Sequence, residues 1–417
     1  MTKQTILEET PSTQFSLLGA RSLIDRILTQ EVNPRIHPLG EENTLIITTG
    51  LFAATTIPNA NRLSVGAKSP LTNGIKGSNG GGTAAFKLAR LGIRALIIEG
   101  RPESGPFILV IKKNSITTES APECAMMGNY ELCADLRKKH GDVATLSIGP
   151  CGEMRMAAST IAISDMNGFP SRHCGRGGLG AVMGSKGLKA IVIDDAGGSN
   201  QKAENPRAFK EAVKEAAALI KNNPRFSFFQ SQGTAGLIPI ANARGSLPTR
   251  NYRSGTFQGS DGLSGQKMAE LQKERGGGMG HACSPGCIAK CSNVYYSSKN
   301  EYLTSGLEYE TLGMLGANLE IGDLDAVAAM ERKCDDYGLN TIDIGAAPGV
   351  LAETVFFEFG NKDKALGLID EIRKGSILGM ALGQGVAATC RVFGVDRVPA
   401  VKGQALPAHS ARALKGA

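Results

Sequence analysis

The chain has 417 residues, a formal net charge of +7 and a hydrophobic share of 41%. This length exceeds what one small core organises, so two domains are expected. Basic residues are dispersed among acidic ones, which argues against a nucleic-acid surface, and no run of about 18 apolar residues suggests a membrane span. The first residues, MTKQTILEETPSTQF, lack the apolar core of a signal peptide, so we expect a cytoplasmic protein.

The first half of the chain is predicted to be rich in strands separated by glycine-rich turns. A short helix is predicted at 82–92, ending at Gly92. Helix–strand pairs here could also form βαβ units, but we favour an α+β domain rich in sheet. Four apolar, β-branched runs bounded by turn residues are predicted strands: TLIITTG (44–50), RALIIEG (94–100), FILVIKK (107–113) and KAIVIDD (189–195).

The character of the chain changes near residue 200. A polar, glycine-containing stretch at 197–206 is predicted to be a linker, and Asn205 and Pro206 then open an amphipathic helix as its cap and first turn. Further helices are predicted at 307–319, 323–338 and 362–385. The expected class is therefore α+β, with a β-rich base domain at 1–206 and a mainly helical domain at 207–417.

Three of the nine cysteines cluster in GHACSPGCIAKCSN (280–293), at Cys283, Cys287 and Cys291. Without a secretion signal, such clustering points to metal ligation rather than to disulfides. The spacing is not that of a zinc ribbon, whereas iron–sulfur clusters are held by thiolates that are often close in sequence. Ser284-Pro285-Gly286 favours a tight turn that lets thiols converge. The alternative is three small buried residues in a helical turn.

The other six cysteines are isolated in the sequence, and each is expected to be a buried apolar residue rather than a ligand. They are Cys124, Cys133, Cys151, Cys174, Cys334 and Cys390.

Two glycine-rich segments, 62–82 and 173–191, lead towards predicted strands. Successive backbone N–H groups and glycines with positive φ make anion-binding nests. Neither segment has the spacing of a dinucleotide fingerprint, and no Walker sequence is present. Simple turns in a sheet protein remain an equal alternative for either loop alone. Charge for a phosphate or a heterocycle edge could come from Arg62, Lys76, Arg176 and Lys186.

Taken together and in order, five motifs resemble the aldehyde:ferredoxin oxidoreductase family of tungsten and molybdenum enzymes. The resemblance runs from about residue 40 to the last residue. The motifs are SPLTNGIKGSNGGG, SIGPCGEMRMAASTIAISD, GRGGLGAVMGSKGLKAIVI, the cysteine triplet and LEYETLGMLGANLEIGDLDAV.

The family resemblance implies one tungsten or molybdenum held by two molybdopterins, with a [4Fe–4S] cluster nearby. It implies a β-rich base for the pterins and two mainly helical domains, with the second domain junction near residue 417. The chain is thus expected to lack the third domain, and its 417 residues alone are expected to have no turnover.

The resemblance also assigns candidate site residues. Cys283, Cys287 and Cys291 correspond to the cluster ligands, although the family usually has two residues in the first gap. Asn79 and Gly177 would lie near a Mg²⁺ that bridges the pterin phosphates. The base-domain pterin contacts would be Arg62, Lys76, Asn79, Gly80, Gly81, Arg176, Gly177 and Gly178. A pterin loop, DDYGLN, would contribute Asp335, Gly338, Leu339 and Asn340, where Asn340 is a neutral replacement.

Two glutamates follow the cysteine triplet, Glu308 and Glu310. The resemblance implies a glutamate near the metal that is suited to general acid–base work, and the spacing slightly favours Glu310. The alternative is that both are helix-start carboxylates favoured by the helix dipole. Some members hold an iron between subunits with Glu-x-x-His, but MERKCDD has no histidine, so no such bridge is expected.

Two functions stay open on the sequence. The first is an oxidoreductase that exchanges two electrons between an aldehyde-like substrate and ferredoxin or another iron–sulfur protein. The second is an inactive fragment that holds only part of the cofactor site. The choice of metal, a nucleotide on the pterins and a homo-oligomeric state are left undetermined.

Overall fold

The computed structural model of the protein describes residues 15–102 and 104–410. Residues 1–14, which include most of the N-terminal segment that was compared with a signal peptide, and residues 411–417 lie outside the described part. The described residues combine mixed sheets with many helices, which confirms the α+β class. None of the helices in this part is both long and apolar enough to cross a membrane.

The described strands alternate with helices in the first half and form short sheets in the second. They are β1 (Leu45–Thr49), β2 (Leu63–Lys68), β3 (Ile75–Gly80), β4 (Ala95–Ile98), β5 (Phe107–Lys112), β6 (Ser115–Ser120), β7 (Ala144–Ser147), β8 (Ile161–Ile163), β9 (Arg172–Cys174), β10 (Leu188–Ile193), β11 (Gly278–His281), β12 (Ser292–Tyr296), β13 (Tyr302–Ser305), β14 (Ala400–Val401) and β15 (Gln404–Ala405).

The α-helices become frequent after residue 205. They are α1 (Ala20–Glu31), α2 (Ala84–Arg90), α3 (Asn129–His140), α4 (Pro150–Glu153), α5 (Leu179–Ser185), α6 (Pro206–Lys221), α7 (Phe226–Gln232), α8 (Leu237–Ala243), α9 (Gly265–Arg275), α10 (Tyr309–Thr311), α11 (Leu324–Tyr337), α12 (Thr341–Glu353), α13 (Lys362–Lys374), α14 (Ile377–Gly383) and α15 (Val386–Phe393).

The described chain divides into two compact units. The first comprises residues 15–219 together with Cys283–Ile288 and Asp336–Gly338. The second comprises Ile220–Ala282, Ala289–Asp335 and the described residues from Leu339 onwards. Two of the three clustered cysteines therefore pack with the β-rich unit, although the segments before and after them in sequence belong to the second unit. The domain boundary at residue 206 stays a prediction.

The first unit is built on two sheets. A four-stranded antiparallel sheet has the order β3-β2-β1-β4, and a six-stranded sheet has the order β6-β5-β10-β7-β8-β9. In the larger sheet only β5 and β10 are parallel. Both sheets contribute to one hydrophobic core, where Leu45 and Val65 of the smaller sheet lie with Leu146 and Ile191 of the larger one.

The second unit contains helices and a three-stranded antiparallel sheet of β11, β12 and β13. Helix α12 is buried along almost its whole length, from Ile342 to Ala352. It contacts the segment Leu312–Gly316, which is a π-helix and is followed by a 3₁₀ turn at Ala317–Leu319. A π-helix is rare and is often found near functional sites.

Most predicted elements of the first half are confirmed, at β1, β4, β5, β10 and α2. The helix predicted from Asn205 is also confirmed, because the Asn205 side chain accepts from the Ala208 N–H over 3.1 Å. The single helix predicted at 362–385 is wrong. It is divided by Gly375, whose φ of +66° ends α13, and by Ser376, which caps α14.

Candidate functional site

The β2–β3 hairpin carries two of the predicted cofactor contacts on exposed positions. Arg62, just before β2, donates from Nε to Asn79 Oδ1. Asn79 Nδ2 donates to Ser64 Oγ over 3.1 Å, because the antiparallel register places Ser64 opposite Asn79. The hairpin therefore fixes the orientation of both the guanidinium and the amide before any ligand binds.

The loop after β9 lies against β3. The Arg176 N–H donates to Ser78 Oγ over 3.3 Å, and Ser69 Oγ donates to the Gly177 carbonyl over 2.7 Å. Gly177 has a φ of +97°, and a Cβ built on it would lie 2.3 Å from Lys76 Cγ. Glycine is thus required here for both conformation and space. The first unit brings together the predicted contacts Lys76, Arg176 and Gly177.

Strand β3 ends in a run of glycines, and their lack of side chains leaves room for the segment that carries Cys283. A Cβ on Gly81 would lie 2.6 Å from the Cys283 carbonyl oxygen, and the Gly82 N–H donates to that same oxygen over 2.6 Å. Gly80 and Gly178 are equally crowded, since an added Cβ would come within 2.7 and 2.5 Å of a neighbouring atom. Side chains at these positions would push the backbone segments apart.

The first two clustered cysteines lie at a tight turn, as the sequence predicted. The Cys287 N–H donates to the Ser284 carbonyl over 3.1 Å, and Gly286 has a φ of +70°. Arg62 Nη1 lies 3.4 Å from Cys283 Sγ, at hydrogen-bond distance for sulfur. A hydrogen bond with Cys287, and then burial, raises the pKa of the Cys283 thiol.

The third clustered cysteine belongs to the second unit. Cys291 is half-buried, directly precedes β12, and helps line a cavity of about 440 Å³ with Phe226, Phe229 and Thr234. Within the described ranges, no three His, Cys, Asp or Glu side chains are grouped so that they could hold a metal ion. Ligation of one cluster by the three thiols therefore stays a prediction.

The six isolated cysteines are all buried, as the sequence predicted, whereas the expectation that none of them is a ligand stays a prediction. Burial raises the pKa of Cys174 to about 12 and that of Cys390 to about 11. These thiols are therefore protonated and unreactive at neutral pH.

The predicted DDYGLN pterin loop is divided between the two units. Gly338, in the first unit, has a φ of +73°, and its carbonyl accepts from the Thr160 N–H over 2.9 Å. In the second unit, Asp335 and Leu339 are buried. Asn340 caps α12, because its Oδ1 accepts from the Ile342 N–H over 3.0 Å. The amide of Asn340 thus has a structural task, and its contact with a pterin stays a prediction.

The two candidate glutamates have different partners within the second unit. Glu308 Oε2 accepts from Thr234 Oγ1, and Thr234 also lines the cavity beside Cys291. Glu310 Oε2 accepts from the Ala408 N–H over 2.7 Å. Glu308 is therefore one hydrogen bond away from a cavity wall, whereas Glu310 holds a backbone segment.

Lys186, considered above as a phosphate contact, is a buried structural lysine. Its Nζ donates to the Glu41 carbonyl over 2.8 Å, and the Gly40 carbonyl lies at 3.4 Å. Only 4% of the residue is exposed. Its ammonium therefore serves the packing of the loop before β1.

Burial lowers the pKa of Lys186 from its ordinary 10.5 to about 8. Between these two pH values the unfolded chain holds a proton that the folded protein has lost, so this lysine's contribution to stability rises with pH. We expect the free energy of unfolding of the wild type, minus that of Lys186→Met, to increase from pH 8 to pH 10. Urea unfolding at each pH measures the difference. A difference that stays flat between these pH values would contradict the assignment.

Several polar side chains that the sequence did not identify stabilise the candidate site of the first unit. Ser64, Ser69, Ser78 and Asn61 all hydrogen-bond the hairpin, the glycine loop or the cysteine turn. A signal was available, since Ser69 and Ser78 lie inside the glycine-rich motif SPLTNGIKGSNGGG. Small hydroxyl side chains in such a loop commonly satisfy backbone groups.

Comparison with known proteins covers nearly the whole chain. Residues 1–195 match the aldehyde ferredoxin oxidoreductase N-terminal domain, and residues 211–417 match domains 2 and 3 of that family. A tungsten-containing aldehyde ferredoxin oxidoreductase of Pyrococcus abyssi is 33% identical over 100% of this chain and 70% of its own length. The corresponding protein of Pyrococcus horikoshii is 33% identical over 99% of this chain and 69% of its own length.

A solved structure shares the fold. The active-site complex BamBC of benzoyl coenzyme A reductase, with bound 1,5-dienoyl-CoA, aligns with a TM-score of 0.80 at 21% identity. The alignment covers 96% of this chain and 63% of that one. Since both halves of the sequence match models of one family, and relatives are 33% identical over nearly all of it, the chain belongs to the aldehyde ferredoxin oxidoreductase family.

Proposed function

We propose that the chain acts as an oxidoreductase on an aldehyde-like small molecule. Two electrons would be exchanged with the substrate at a tungsten or molybdenum bis(molybdopterin) centre. A [4Fe–4S] cluster would relay them to ferredoxin or another iron–sulfur protein. Family membership and the names of the two Pyrococcus relatives support the aldehyde, the tungsten and the ferredoxin.

One observation carries the proposal: Arg62 contacts both candidate cofactor regions of the first unit. Its Nε donates to Asn79, a predicted pterin contact, while its Nη1 lies 3.4 Å from the sulfur of Cys283, a predicted cluster ligand. Guanidinium N–H groups form charge-assisted hydrogen bonds with anionic groups, so one side chain can serve a phosphate and a sulfur ligand together. A pterin and a cluster on these residues would be neighbours.

The donors present suit the implied groups. Thiols of Cys283, Cys287 and Cys291 are the ligand type that iron–sulfur clusters take. Carbonyl oxygens suit Mg²⁺, and the Gly177 carbonyl retains a lone pair after accepting from Ser69. When bound, the metal–pterin centre would supply the two-electron chemistry, while this chain would bind, orient and protonate.

For proton transfer we place the acid–base role on Glu308, with Glu310 as the second candidate. Glu308 is held by Thr234 at the wall of the 440 Å³ cavity, whose other walls include Phe226 and Phe229. Ligand pockets are typically about 300–1,000 Å³ and mostly apolar, with few polar groups. An apolar aldehyde is therefore the substrate class that this wall favours.

The iron content of cysteine variants tests the proposal. Anaerobically purified full-length protein from a pterin-producing host is expected to carry about four irons per chain, as a [4Fe–4S] cluster requires. Alanine at Cys283, Cys287 or Cys291 should remove more than half of that iron, because each thiolate lost opens one corner of the cluster. Iron and pterin are measured chemically on the same samples.

Cys124→Ala is the matched control, since Cys124 is buried in the first unit and outside the cluster. It should keep the full iron content. Full iron in Cys287→Ala would show that the triplet is not the ligand set. A wild-type chain that binds neither iron nor pterin would instead favour the inactive-fragment hypothesis.

A further inference from the structure

The motif SIGPCGEMRMAAST carries part of the family resemblance, yet the proposed function gives it no task. It contacts the segment Asp336–Gly338, which belongs to the same unit. Near the start of the motif, a Cβ built on Gly149 would lie 2.3 Å from the carbonyl carbon of Tyr337. At the end of the motif, the Thr160 N–H donates to the Gly338 carbonyl over 2.9 Å. The motif therefore packs closely along this segment.

The end of the same motif also contacts the glycine loop in which pterin contacts are predicted. A Cβ on Gly178 would lie 2.5 Å from the Ala157 carbonyl oxygen, and one on Gly180 would lie 2.3 Å from the Thr160 carbonyl oxygen. Since these closest atoms are backbone, the two segments pack main chain against main chain, with little freedom to adjust. Thr160 thus contacts Gly338 on one side and the glycine loop on the other.

The Asp336 side chain caps helix α3 from a position far away in the sequence. Its Oδ1 accepts from the Tyr130 N–H over 3.0 Å. Gly128 directly precedes α3 and has no side chain that could accept a hydrogen bond there. The first N–H groups of a helix lack acceptors within the helix, and its dipole favours a negative charge at this end. Asp336 therefore supplies the cap that Gly128 cannot.

The Asp336 carboxylate is placed unfavourably for its own helix. It belongs to the last turn of α11, where the dipole disfavours negative charge, and this described turn contains no basic residue. Gly128 leaves room for the carboxylate, because an added Cβ there would lie 2.5 Å from both of its oxygens. The start of α3 therefore stabilises this aspartate, and the segment that carries Gly338 is held beside it.

We infer that Asp336 is a positioning residue for pterin binding. Its cap on α3 and the hydrogen bond from Thr160 hold Gly338 in a fixed place relative to the glycine loop of Gly178 before a pterin binds. Both glycines are predicted pterin contacts, so a pterin would meet a preformed site and would not have to order it. This role depends on the proposed function, because a pterin is the ligand that would use the loop.

Pterin and iron analysis of full-length variants from a pterin-producing host, combined with amide hydrogen exchange, tests this role. Asp336→Ala is expected to lose more than half of its pterin and to keep most of its iron, because the predicted cluster ligands lie in other segments. The Thr160 amide should exchange at least tenfold faster in this variant, with or without pterin. Asp336→Asn keeps an acceptor oxygen, and asparagine caps helices about as well as aspartate, so it should restore both properties.

Gly128→Ala provides an independent variant, because it keeps Asp336 but places a methyl group 2.5 Å from its carboxylate. It should lose pterin as Asp336→Ala does. Asn361→Ala is the matched control. It removes the cap of α13, where the Asn361 side chain accepts from the Lys364 N–H over 3.0 Å, and it should keep both its pterin and its Thr160 exchange rate.

Wild-type pterin content in Asp336→Ala overturns this role, as does an unchanged exchange rate of the Thr160 amide. Equal loss of pterin in Asp336→Ala, Asp336→Asn and Asn361→Ala overturns it as well, because any loss of stability would then have the same effect. A wild type that binds no pterin overturns the proposed function and this role together. A wild type that binds pterin, with no loss in Asp336→Ala and Gly128→Ala, overturns this role alone.

Discussion

Glu153→Gln is expected to lower the free energy of unfolding by about 3–5 kcal/mol, the cost of leaving a buried charge without its partner. Lys189 is 0% exposed, and Glu153 is the carboxylate that pairs with its ammonium. Burial already lowers the pKa of Lys189, so its charged form depends on that carboxylate. Without Glu153, the lysine must either stay charged in a dry site or release its proton, and both are unfavourable.

Replacing the lysine of this pair should lower the free energy of unfolding by less than replacing the glutamate. Lys189→Met leaves Glu153, which is 16% exposed and still accepts from the Met126 N–H over 3.0 Å. A loss of about 1–2 kcal/mol is expected, near that of one charge-assisted hydrogen bond. The double variant should resemble Lys189→Met, because no buried charge then remains unpaired.

Urea unfolding followed by far-ultraviolet circular dichroism measures these differences, since the chain has no tryptophan to serve as a fluorescent probe. The test is the order of the free energies of unfolding among the three variants. The assignment fails if Glu153→Gln costs no more than Lys189→Met, because the buried ammonium would then have no need of its partner.

Gly81→Ala is expected to cause the largest loss of cofactor from a single methyl group. The new Cβ would lie 2.6 Å from the Cys283 carbonyl oxygen. That oxygen is a backbone carbonyl that accepts from the Gly82 N–H over 2.6 Å, so it cannot rotate away from the new methyl group. The turn that holds Cys283 and Cys287 must shift, at a cost of about 1–3 kcal/mol.

If the proposed cluster and pterins lie here, Gly81→Ala should lose more than half of its iron and much of its pterin. Gly175→Ala is the matched control, because Gly175 lies in the neighbouring glycine loop with no atom within 4 Å of an added Cβ. Iron and pterin analysis of both variants, with their urea midpoints, gives the result. Normal iron in a destabilised Gly81→Ala would separate the packing role of Gly81 from any cofactor role.

The sequence predicted elements whose cause is local. Runs of β-branched residues became β1, β4, β5 and β10, and Asn205 with Pro206 began α6. Ser284-Pro285-Gly286 formed the expected turn. In each case a few neighbouring residues restrict φ and ψ or satisfy the first N–H groups, so no distant contact is needed.

The sequence did not predict elements that depend on tertiary burial or on pairing with other strands. Helix α12 contains Gly345, Pro348 and Gly349, and it lacks a polar face because nearly every residue is buried. Amphipathic periodicity therefore cannot reveal it. The sheet of β11, β12 and β13 was also missed, since its glycine and polar residues form strands through pairing with one another.

By itself, the sequence determined the α+β class, the family and the clustering of three cysteines, because motif order and local spacing are properties of the chain. Only the tertiary structure decided that Arg62 meets Cys283 across 221 residues, and that Cys283 and Cys287 pack with the β-rich unit. It alone showed that Lys186 is buried and that Asp336 caps α3. Such placements follow from close packing and the exclusion of water, which join residues regardless of their separation in sequence.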